Sequence, residues 1–215
     1  MATPDVTAPR RDDPYWSRRD DREEIAERVD PVVWGDDGPL SVTERAAFEQ
    51  RGFLVLEGLF SKADARALRD AAVRAAARPD ALAGGGDESL IREIDSDEVR
   101  SVFNPHHSCP ELAALAGDAR LVDRVRQILG GDAYIHQFRI NFKPRFAGRE
   151  FSWHSDFETW HVEDGMPRMR AVSAVVMLDE NNEFNGPMLF IPGSHRRYVR
   201  CAGRTPDDHY RSSLR

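Results

Sequence analysis

The feature that most constrains the fold is a change in hydrophobic period near residue 133. In AYIHQFRINFK (133–143) apolar and polar side chains alternate, which is the period of a β-strand. One face carries Tyr134, His136, Phe138, Ile140 and Phe142, and the other carries Ile135, Gln137, Arg139, Asn141 and Lys143. MRAVSAVVMLDE (169–180) and PMLFIPGSH (187–195) predict two further strands, and Asn185-Gly186 predicts a turn between them.

Before this boundary the sequence predicts helices. Ser41 and Glu44 fit a capping box that begins the first helix, and Gly52 fits its stop. Ser61 caps a second helix that runs to about Arg78. Helical periodicity returns from Glu111 to Leu129, where two glycines end it.

Two shorter β segments lie among these helices. FLVLEGLF (53–60) predicts a strand, and LIREIDSDEVRSVFNP (90–105) predicts a hairpin that turns at Asp95 to Asp97, after a flexible loop at 79–90. Helices followed by antiparallel-looking strands are typical of an α+β protein with a β-sandwich or barrel core. We expect an extended N-terminal arm over residues 1–38, disordered in part, and one domain over residues 39–215.

Composition excludes several classes of protein. The chain has 215 residues, enough for one domain with a proper core, and no apolar run long enough to cross a membrane. Its net charge of −7 argues against nucleic acid as the main partner. The two cysteines have no metal-type spacing, and the N-terminus has no secretory signal, so we expect a cytoplasmic protein with reduced thiols.

The stretch FSWHSDFETWHVEDGMPRMR (151–170) carries the most chemical information. On a strand, His154 and Asp156 would share a face, and an imidazole with a carboxylate is part of the set that holds Fe(II) in oxygenases. Without further context such a pair is more often a surface polar pair. Phe151 and Trp153 flank the pair with apolar bulk, which makes a loose loop less plausible.

Each of several other side chains near this stretch allows both a structural and a functional interpretation. Gln137, Asn141 and Lys143 could line a pocket or simply face water, and the Ser173 hydroxyl could bond backbone or touch a ligand. Trp160, in an acidic turn that contains glycine, could be half-exposed packing or a face for a delocalised cation. We interpret the polar residues that follow it as solvated loop residues: His161, Glu163 and Asp164.

The stretch FSWHSDFETWHVEDGMPRMRAVSAVVMLDENNEFNGPMLFIPGSH (151–195) resembles the signature of ectoine hydroxylases. These are Fe(II)- and 2-oxoglutarate-dependent dioxygenases of the phytanoyl-CoA hydroxylase-like group. DPVVW (30–34), YIHQFRINFKP (134–144) and TPDDHY (205–210) extend the resemblance over most of the chain. The run WHSDFETWHVEDGMP is long and compositionally unusual, so the resemblance points beyond the wider superfamily, which shares little more than His-x-Asp.

The resemblance implies a double-stranded β-helix (jelly-roll) core with helices packed outside. It implies iron ligation by His154 and Asp156, a 2-oxoglutarate site lined by Asn141, Phe151 and Ser173, and an ectoine site formed by Gln137, Thr159 and Trp160. The implied reaction hydroxylates ectoine, a cyclic amidine with a carboxylate, to 5-hydroxyectoine, a product associated with osmotic stress. Dioxygen is consumed, and 2-oxoglutarate is converted to succinate and CO₂.

The family also needs a second histidine ligand and an arginine for the far carboxylate of 2-oxoglutarate, both further along its chain. His195 and His209 stand where the family has histidines that are not ligands, so the third ligand is expected beyond Arg215. We therefore expect an N-terminal portion of a longer enzyme, inactive by itself in the extreme case. Its incomplete barrel would have exposed strand edges, which homodimerisation or disorder would cover.

Three alternatives remain open from the sequence. The chain could be a related oxygenase that acts on another small zwitterion, or a jelly-roll binding protein without turnover. A His/Asp metallohydrolase would need a further ligand cluster, which the sequence does not offer.

Overall fold

The computed structural model describes residues 13–18, 23–78 and 89–203. The start of the arm, most of the 79–90 loop, the TPDDHY segment and His209 lie outside the described residues. The described α-helices are α1 (Val42–Arg51), α2 (Lys62–Ala77), α3 (Pro110–Ala116), α4 (Ala119–Leu129) and α5 (Asp156–Asp164). The strands are β1 (Glu24–Glu27), β2 (Leu90–Arg92), β3 (Val99–Phe103), β4 (Arg139–Asn141) and β5 (Arg197–Arg200), with 3₁₀ turns at Pro105–His107 and Ser194–Arg196.

The caps of the first helices confirm the sequence signals. At the start of α1, the Ser41 side chain accepts a hydrogen bond from the Glu44 backbone N–H at 3.2 Å, and Glu44 accepts one from the Ser41 backbone at 2.8 Å. Gly52 ends α1 with φ of 84°. Ser61 caps α2 in the same way, with Asp64 in the reciprocal position. The first two helices therefore begin and end where the sequence predicts.

The single helix predicted over 111–129 is wrong. The structure has two helices there, α3 and α4, which are separated at Gly117 and Asp118. The Asp118 carboxylate accepts a hydrogen bond from the Arg120 backbone N–H at 2.8 Å and begins α4. An internal N-cap of this kind competes with continuation of the helix, and the apolar periodicity of the segment does not show it.

The main core lies between α2 and a three-stranded antiparallel sheet in the order β2-β3-β4. The predicted hairpin is confirmed as β2 and β3, with a register shift between Ile91 and Arg92. β4 pairs with β3, which places Asn141 opposite Ser101. Apolar side chains fill this core: Leu68, Ala71, Ala72, Ala75, Leu90, Val102, Leu112 and Ile140.

A second antiparallel pair joins the two ends of the described chain. β1 pairs with β5 from Glu24 opposite Arg200 to Glu27 opposite Arg197. Tyr15 and Tyr198, each 1% exposed, form a small aromatic core with Phe157. The arm is thus bonded to β5 and packed against α5.

Three predicted strands are absent from the described sheets. Residues 53–60 contain a turn in which Gly58 has φ of 70°, and this turn leads directly into the cap of α2. Residues 169–180 and 187–195 are without ladder pairing over the described chain, and several of their apolar side chains are exposed. Alternation reports which side chains share a face, but a ladder also needs a paired strand.

None of the helices in the described segments is long and apolar enough to cross a membrane.

Candidate metal centre

The two predicted metal ligands, His154 and Asp156, are called here the metal pair. They lie at the start of a helix and not along a strand. Ser155 is the N-cap of α5, and its side chain accepts a hydrogen bond from the Glu158 backbone N–H. His154 therefore lies in the loop before the helix, and Asp156 is the first helical residue. The expectation that the two residues share a strand face is wrong, because a Ser cap followed by acidic residues favours a helix here.

His154 and Asp156 nevertheless come together. His154 Nε2 lies 3.5 Å from Asp156 Oδ1. The other ring nitrogen, Nδ1, is 2.7 Å from the carbonyl oxygen of Ser152, so Nδ1 carries the proton and Nε2 is left to bind. The hydrogen bond to Asp156 raises the pKa of His154 above its usual value. That hydrogen bond requires a second proton, on Nε2, and a cation bound between Nε2 and the Asp156 carboxylate would replace this proton.

Ser173 fixes the other oxygen of the carboxylate. Its hydroxyl donates to Asp156 Oδ2 at 2.8 Å, which leaves Oδ1 directed toward His154. Burial raises the pKa of Asp156, but hydrogen bonds from His154 and Ser173 outweigh it, so this pKa lies below its usual value. The positive charge of Arg139, from β4, lowers it further. The carboxylate is thus ionised and oriented.

Two of the predicted 2-oxoglutarate residues lie outside α5 and contact residues other than this pair. Asn141 ends β4, and its Oδ1 accepts a hydrogen bond from the Ser101 hydroxyl at 2.8 Å. The guanidinium of Arg100 lies over the Phe151 ring, with the Arg100 Cζ atom 3.8 Å from the ring centroid. The third residue of that group, Ser173, contacts the metal pair itself.

The predicted substrate residues Thr159 and Trp160 both lie in α5, so the turn expected around Trp160 is wrong. Trp160 is 8% exposed and meets the His136 ring edge to face, with centroids 5.0 Å apart. Gln137 follows His136 directly in the chain. Residues 156, 159 and 160 share one face of α5, because successive residues of an α-helix are rotated by about 100°.

The polar residues after Trp160 are not solvated loop residues. His161 bonds through Nε2 to Asp13 at 3.0 Å, and its Nδ1 is 2.6 Å from the Met166 carbonyl oxygen. Glu163 pairs with Arg18 at 3.0 Å, and Asp164 lies 3.0 Å from His136 Nε2. The acidic run is helical because Ser155 caps it, and each of these residues is used to attach α5 to its neighbours.

Sequence reasoning missed a buried ion pair beneath Phe151. Arg100 contacts Glu93 at 3.1 Å, and their side chains are 7% and 2% exposed. Arg100 also donates to the carbonyl oxygens of Arg149 and Glu150, at 3.3 and 2.7 Å. Glu93 and Arg100 flank the hairpin turn, so cross-strand pairing was the signal that could have found them.

The donor set fits a divalent transition-metal cation such as Fe(II). A neutral imidazole nitrogen and one carboxylate oxygen are held side by side, each by a hydrogen bond at its far end. Within residues 13–18, 23–78 and 89–203, no third His, Cys, Asp or Glu side chain joins them in a metal-binding group. Among the described residues, the predicted pair of ligands is therefore not completed by a third side chain of these types.

Comparison with known proteins gives one family. The family model described as phytanoyl-CoA dioxygenase (PhyH) matches residues 48–214. An ectoine dioxygenase from Sphingopyxis alaskensis is 52% identical over 206 residues, which cover 94% of this chain and 66% of that protein. An ectoine dioxygenase from Halomonas elongata is 46% identical over 207 residues, covering 94% of this chain and 61% of that protein. The chain thus spans less than two thirds of the length of these relatives.

Solved structures agree with the fold. The crystal structure of EctD from S. alaskensis with 2-oxoglutarate and 5-hydroxyectoine matches with a TM-score of 0.79 and 47% identity, over 90% of this chain and 68% of that one. The structure of the same protein with bound Fe matches with a TM-score of 0.76 and 48% identity, over 87% and 66%. The predicted class, a jelly-roll protein with helices outside and no closed barrel in the described chain, is confirmed.

Proposed function

Because the chain belongs to the phytanoyl-CoA dioxygenase family, we propose that it takes part in the hydroxylation of ectoine to 5-hydroxyectoine, coupled to conversion of 2-oxoglutarate to succinate and CO₂. One observation carries the proposal. His154 Nε2 and Asp156 Oδ1 lie 3.5 Å apart at the head of α5, each oriented by a second hydrogen bond. Relatives named ectoine dioxygenase support the choice of substrate.

His154 and Asp156 would hold Fe(II), with a third ligand from outside the described residues. The chemistry that bound Fe(II) supplies is activation of dioxygen, with one oxygen atom passed to the substrate and the other to the decarboxylated cosubstrate. Ser173 keeps the Asp156 carboxylate turned so that a single oxygen is free for the cation. Ser152 keeps the His154 ring in the one tautomer that can ligate.

The remaining site residues bind and orient the two organic molecules. Asn141 and Phe151 would line the 2-oxoglutarate site beside the metal pair, together with Ser173. Trp160 would present its ring to the amidinium of ectoine, a contact worth about 0.5–2 kcal/mol. Gln137 and Thr159 would donate or accept hydrogen bonds at the rim of the same molecule. Because Thr159 and Trp160 follow Asp156 on one helix face, α5 sets the distance from substrate to metal.

The proposal also includes the location, the partners and the biological role of the enzyme. We infer a cytoplasmic enzyme with ectoine as its small-molecule partner and no nucleic-acid or membrane partner, which suits the net charge of −7. A homodimer stays an expectation of the sequence reading. The product would serve the response to osmotic stress.

The test is an assay of this polypeptide, alone and extended past Arg215 to include the expected third ligand, with Fe(II), 2-oxoglutarate, oxygen and ectoine, read by mass spectrometry for hydroxyectoine and succinate in equal amounts. The variant His154→Ala should abolish product, whereas His107→Ala, an exposed histidine in the Pro105–His107 turn, should not. Succinate that forms without hydroxyectoine would favour a different small zwitterion as substrate. Absence of both products, with the chain folded, would contradict activity of this polypeptide.

A further inference from the structure

Helix α5 carries two different sets of residues on opposite faces. At about 100° per residue, Asp156, Thr159 and Trp160 fall on one face, and Phe157, Glu158 and His161 fall on the other. The first face bears the metal ligand and the proposed substrate residues. The second face packs against residues 13–18 of the N-terminal arm, called here the 13–18 segment. Contacts on the second face therefore determine how the first face is turned.

Glu158 is the centre of the second face. It is 2% exposed, so its carboxylate has lost its water and needs partners within the protein. The Ser17 hydroxyl donates to Oε1 at 2.5 Å, and Arg18 donates to both oxygens, from Nε at 3.0 Å and from Nη2 at 2.6 Å. A bidentate arginine–carboxylate pair fixes direction as well as distance.

Aromatic and ionic contacts extend this attachment along the helix. The Tyr15 ring meets Phe157 edge to face with centroids 5.1 Å apart, and Tyr15 is 1% exposed. Asp13 bonds His161 Nε2 at 3.0 Å, and Arg18 reaches Glu163 at 3.0 Å. The 13–18 segment thus contacts successive turns of α5, which opposes rotation of the helix about its axis.

The 13–18 segment is itself held by the body of the protein. The Tyr198 hydroxyl donates to the Tyr15 carbonyl oxygen at 2.7 Å, and the Cys201 backbone N–H donates to the Ser17 hydroxyl at 2.8 Å. The Arg18 backbone N–H donates to the Cys201 carbonyl oxygen at 2.8 Å. The β1–β5 ladder adds a further attachment nearby. The segment is therefore a bridge from β5 to α5.

We propose that Ser17 and Arg18, acting through the buried carboxylate of Glu158, are positioning residues that hold α5 in the rotation at which Asp156 faces His154 and at which Thr159 and Trp160 face the substrate. This inference rests on the proposed function for the identity of the substrate, and on geometry alone for the metal pair. Neither residue touches the metal site. Their effect reaches it through the rigid helix.

The test compares Arg18→Ala, Arg18→Lys and Gln127→Leu by titration with Co(II) alone, together with urea unfolding. Gln127 is the matched control, because it is also a buried polar residue, 2% exposed, but lies away from α5. Its Oε1 accepts a hydrogen bond from the Leu40 backbone N–H, and its Nε2 donates one to the Leu40 carbonyl oxygen. We expect Arg18→Ala to weaken Co(II) binding about tenfold, the size typical of residues that orient metal ligands. Arg18→Lys should restore part of the loss, and Gln127→Leu should lower stability without changing the Co(II) affinity of the folded protein.

Equal Co(II) affinity in Arg18→Ala and the unsubstituted chain would overturn the inference, because the arm would then be only structural. Absence of Co(II) binding that depends on His154 in the unsubstituted chain would overturn it as well, since α5 would hold no site to position. The titration needs neither ectoine nor 2-oxoglutarate. A chain whose Co(II) affinity depends on both His154 and Arg18 but that makes no hydroxyectoine would refute the proposed function and support this inference.

Discussion

At the scale of single residues, the structure adds orienting partners to ligands that the sequence pattern had suggested. His154 and Asp156 were chosen by residue type and spacing, but Ser152 and Ser173 decide which atoms of those side chains are free. The Ser173 hydroxyl bonds the Asp156 side chain and not the backbone, and its contact with a ligand stays a prediction. Ser173 is a tertiary contact, distant from Asp156 in the chain, so spacing could not have identified it. The Ser152 partner is local, but it is a backbone carbonyl, which residue type does not reveal.

The Ser173 hydroxyl gives the first prediction. Ser173→Ala removes the hydrogen bond that holds Asp156 Oδ2, so the carboxylate can rotate, and Fe(II) affinity should fall about tenfold. Anaerobic titration with Fe(II) measures the change. Ser173→Thr keeps a hydroxyl at the same position and should retain most of the affinity. Equal affinity of the alanine and threonine variants would show that the bond does not orient the ligand.

The buried pair Arg100–Glu93 gives a prediction for stability. Arg100→Ala leaves Glu93, which is 2% exposed in its side chain, without its cation, and should lower the free energy of unfolding by about 3–5 kcal/mol. Arg69→Ala breaks an exposed pair with Asp179 and should cost at most about 1 kcal/mol. Urea unfolding of both variants makes the comparison. Similar losses would mean that Glu93 finds another partner or water.

At the scale of elements, the sequence predicted best where the signal is local. The capping box at Ser41, the helix cap at Ser61 and the hairpin around Asp95 to Asp97 depend on residues within a few positions of one another, and all three are confirmed. The strands at 53–60, 169–180 and 187–195 depended on alternation alone. Alternation does not report whether a second strand lies within bonding distance, so these predictions were wrong for the described chain.

Helix α5 is the converse case, because it is an element that forms although the sequence analysis did not predict it. Its acidic and aromatic composition indicated a polar turn, but Ser155 and the acidic first turn begin a helix that ends at Gly165, with φ of 70°. The structure brings His154 and Asp156 together as predicted, and their role as metal ligands stays a prediction, whereas the element that carries them was predicted wrongly.

The end of α1 gives a prediction with an internal control. Gly52 has φ of 84°, and a Cβ there would lie 2.3 Å from His195 Nδ1, whereas Gly58 has φ of 70° with nothing within 4 Å. The left-handed backbone alone costs about 1–2 kcal/mol for a residue with a Cβ. Gly52→Ala should therefore lower the free energy of unfolding by clearly more than Gly58→Ala. Equal losses in urea unfolding would show that the His195 ring moves aside freely.

At the scale of the whole molecule, the ends of the described chain are joined around the proposed site. The arm bonds β5, packs on α5 and reaches residue 169 through Asp30, which accepts from the Tyr15 hydroxyl at 2.6 Å and from the Met169 backbone N–H at 2.9 Å. Contacts between residues so distant in sequence leave no periodic signal. The sequence therefore predicted an arm that lies on the domain but not what it holds.

Asp30 makes this attachment sensitive to acid. Burial raises the pKa of Asp30, but hydrogen bonds from Tyr15 and Met169, with the charges of Arg168 and Arg28, outweigh it and lower the pKa. A lowered carboxyl pKa gives stability that is present above the unfolded value of about 3.9 and is lost as pH falls through the folded value. Asp30→Asn should flatten the decline in unfolding free energy below about pH 4. An unchanged slope would contradict this role.

The central proposal is that His154 and Asp156 would hold the iron at which dioxygen is activated and beside which ectoine would be hydroxylated. The most direct measurement is the reaction of the polypeptide, extended past Arg215 so that the expected third ligand is present, with Fe(II), 2-oxoglutarate, ectoine and ¹⁸O₂, with mass spectrometry of both products. The account predicts one ¹⁸O atom in 5-hydroxyectoine and one in succinate, in equal amounts, with none of either in His154→Ala. Hydroxyectoine whose new oxygen comes from water, or product that persists in His154→Ala, would contradict it.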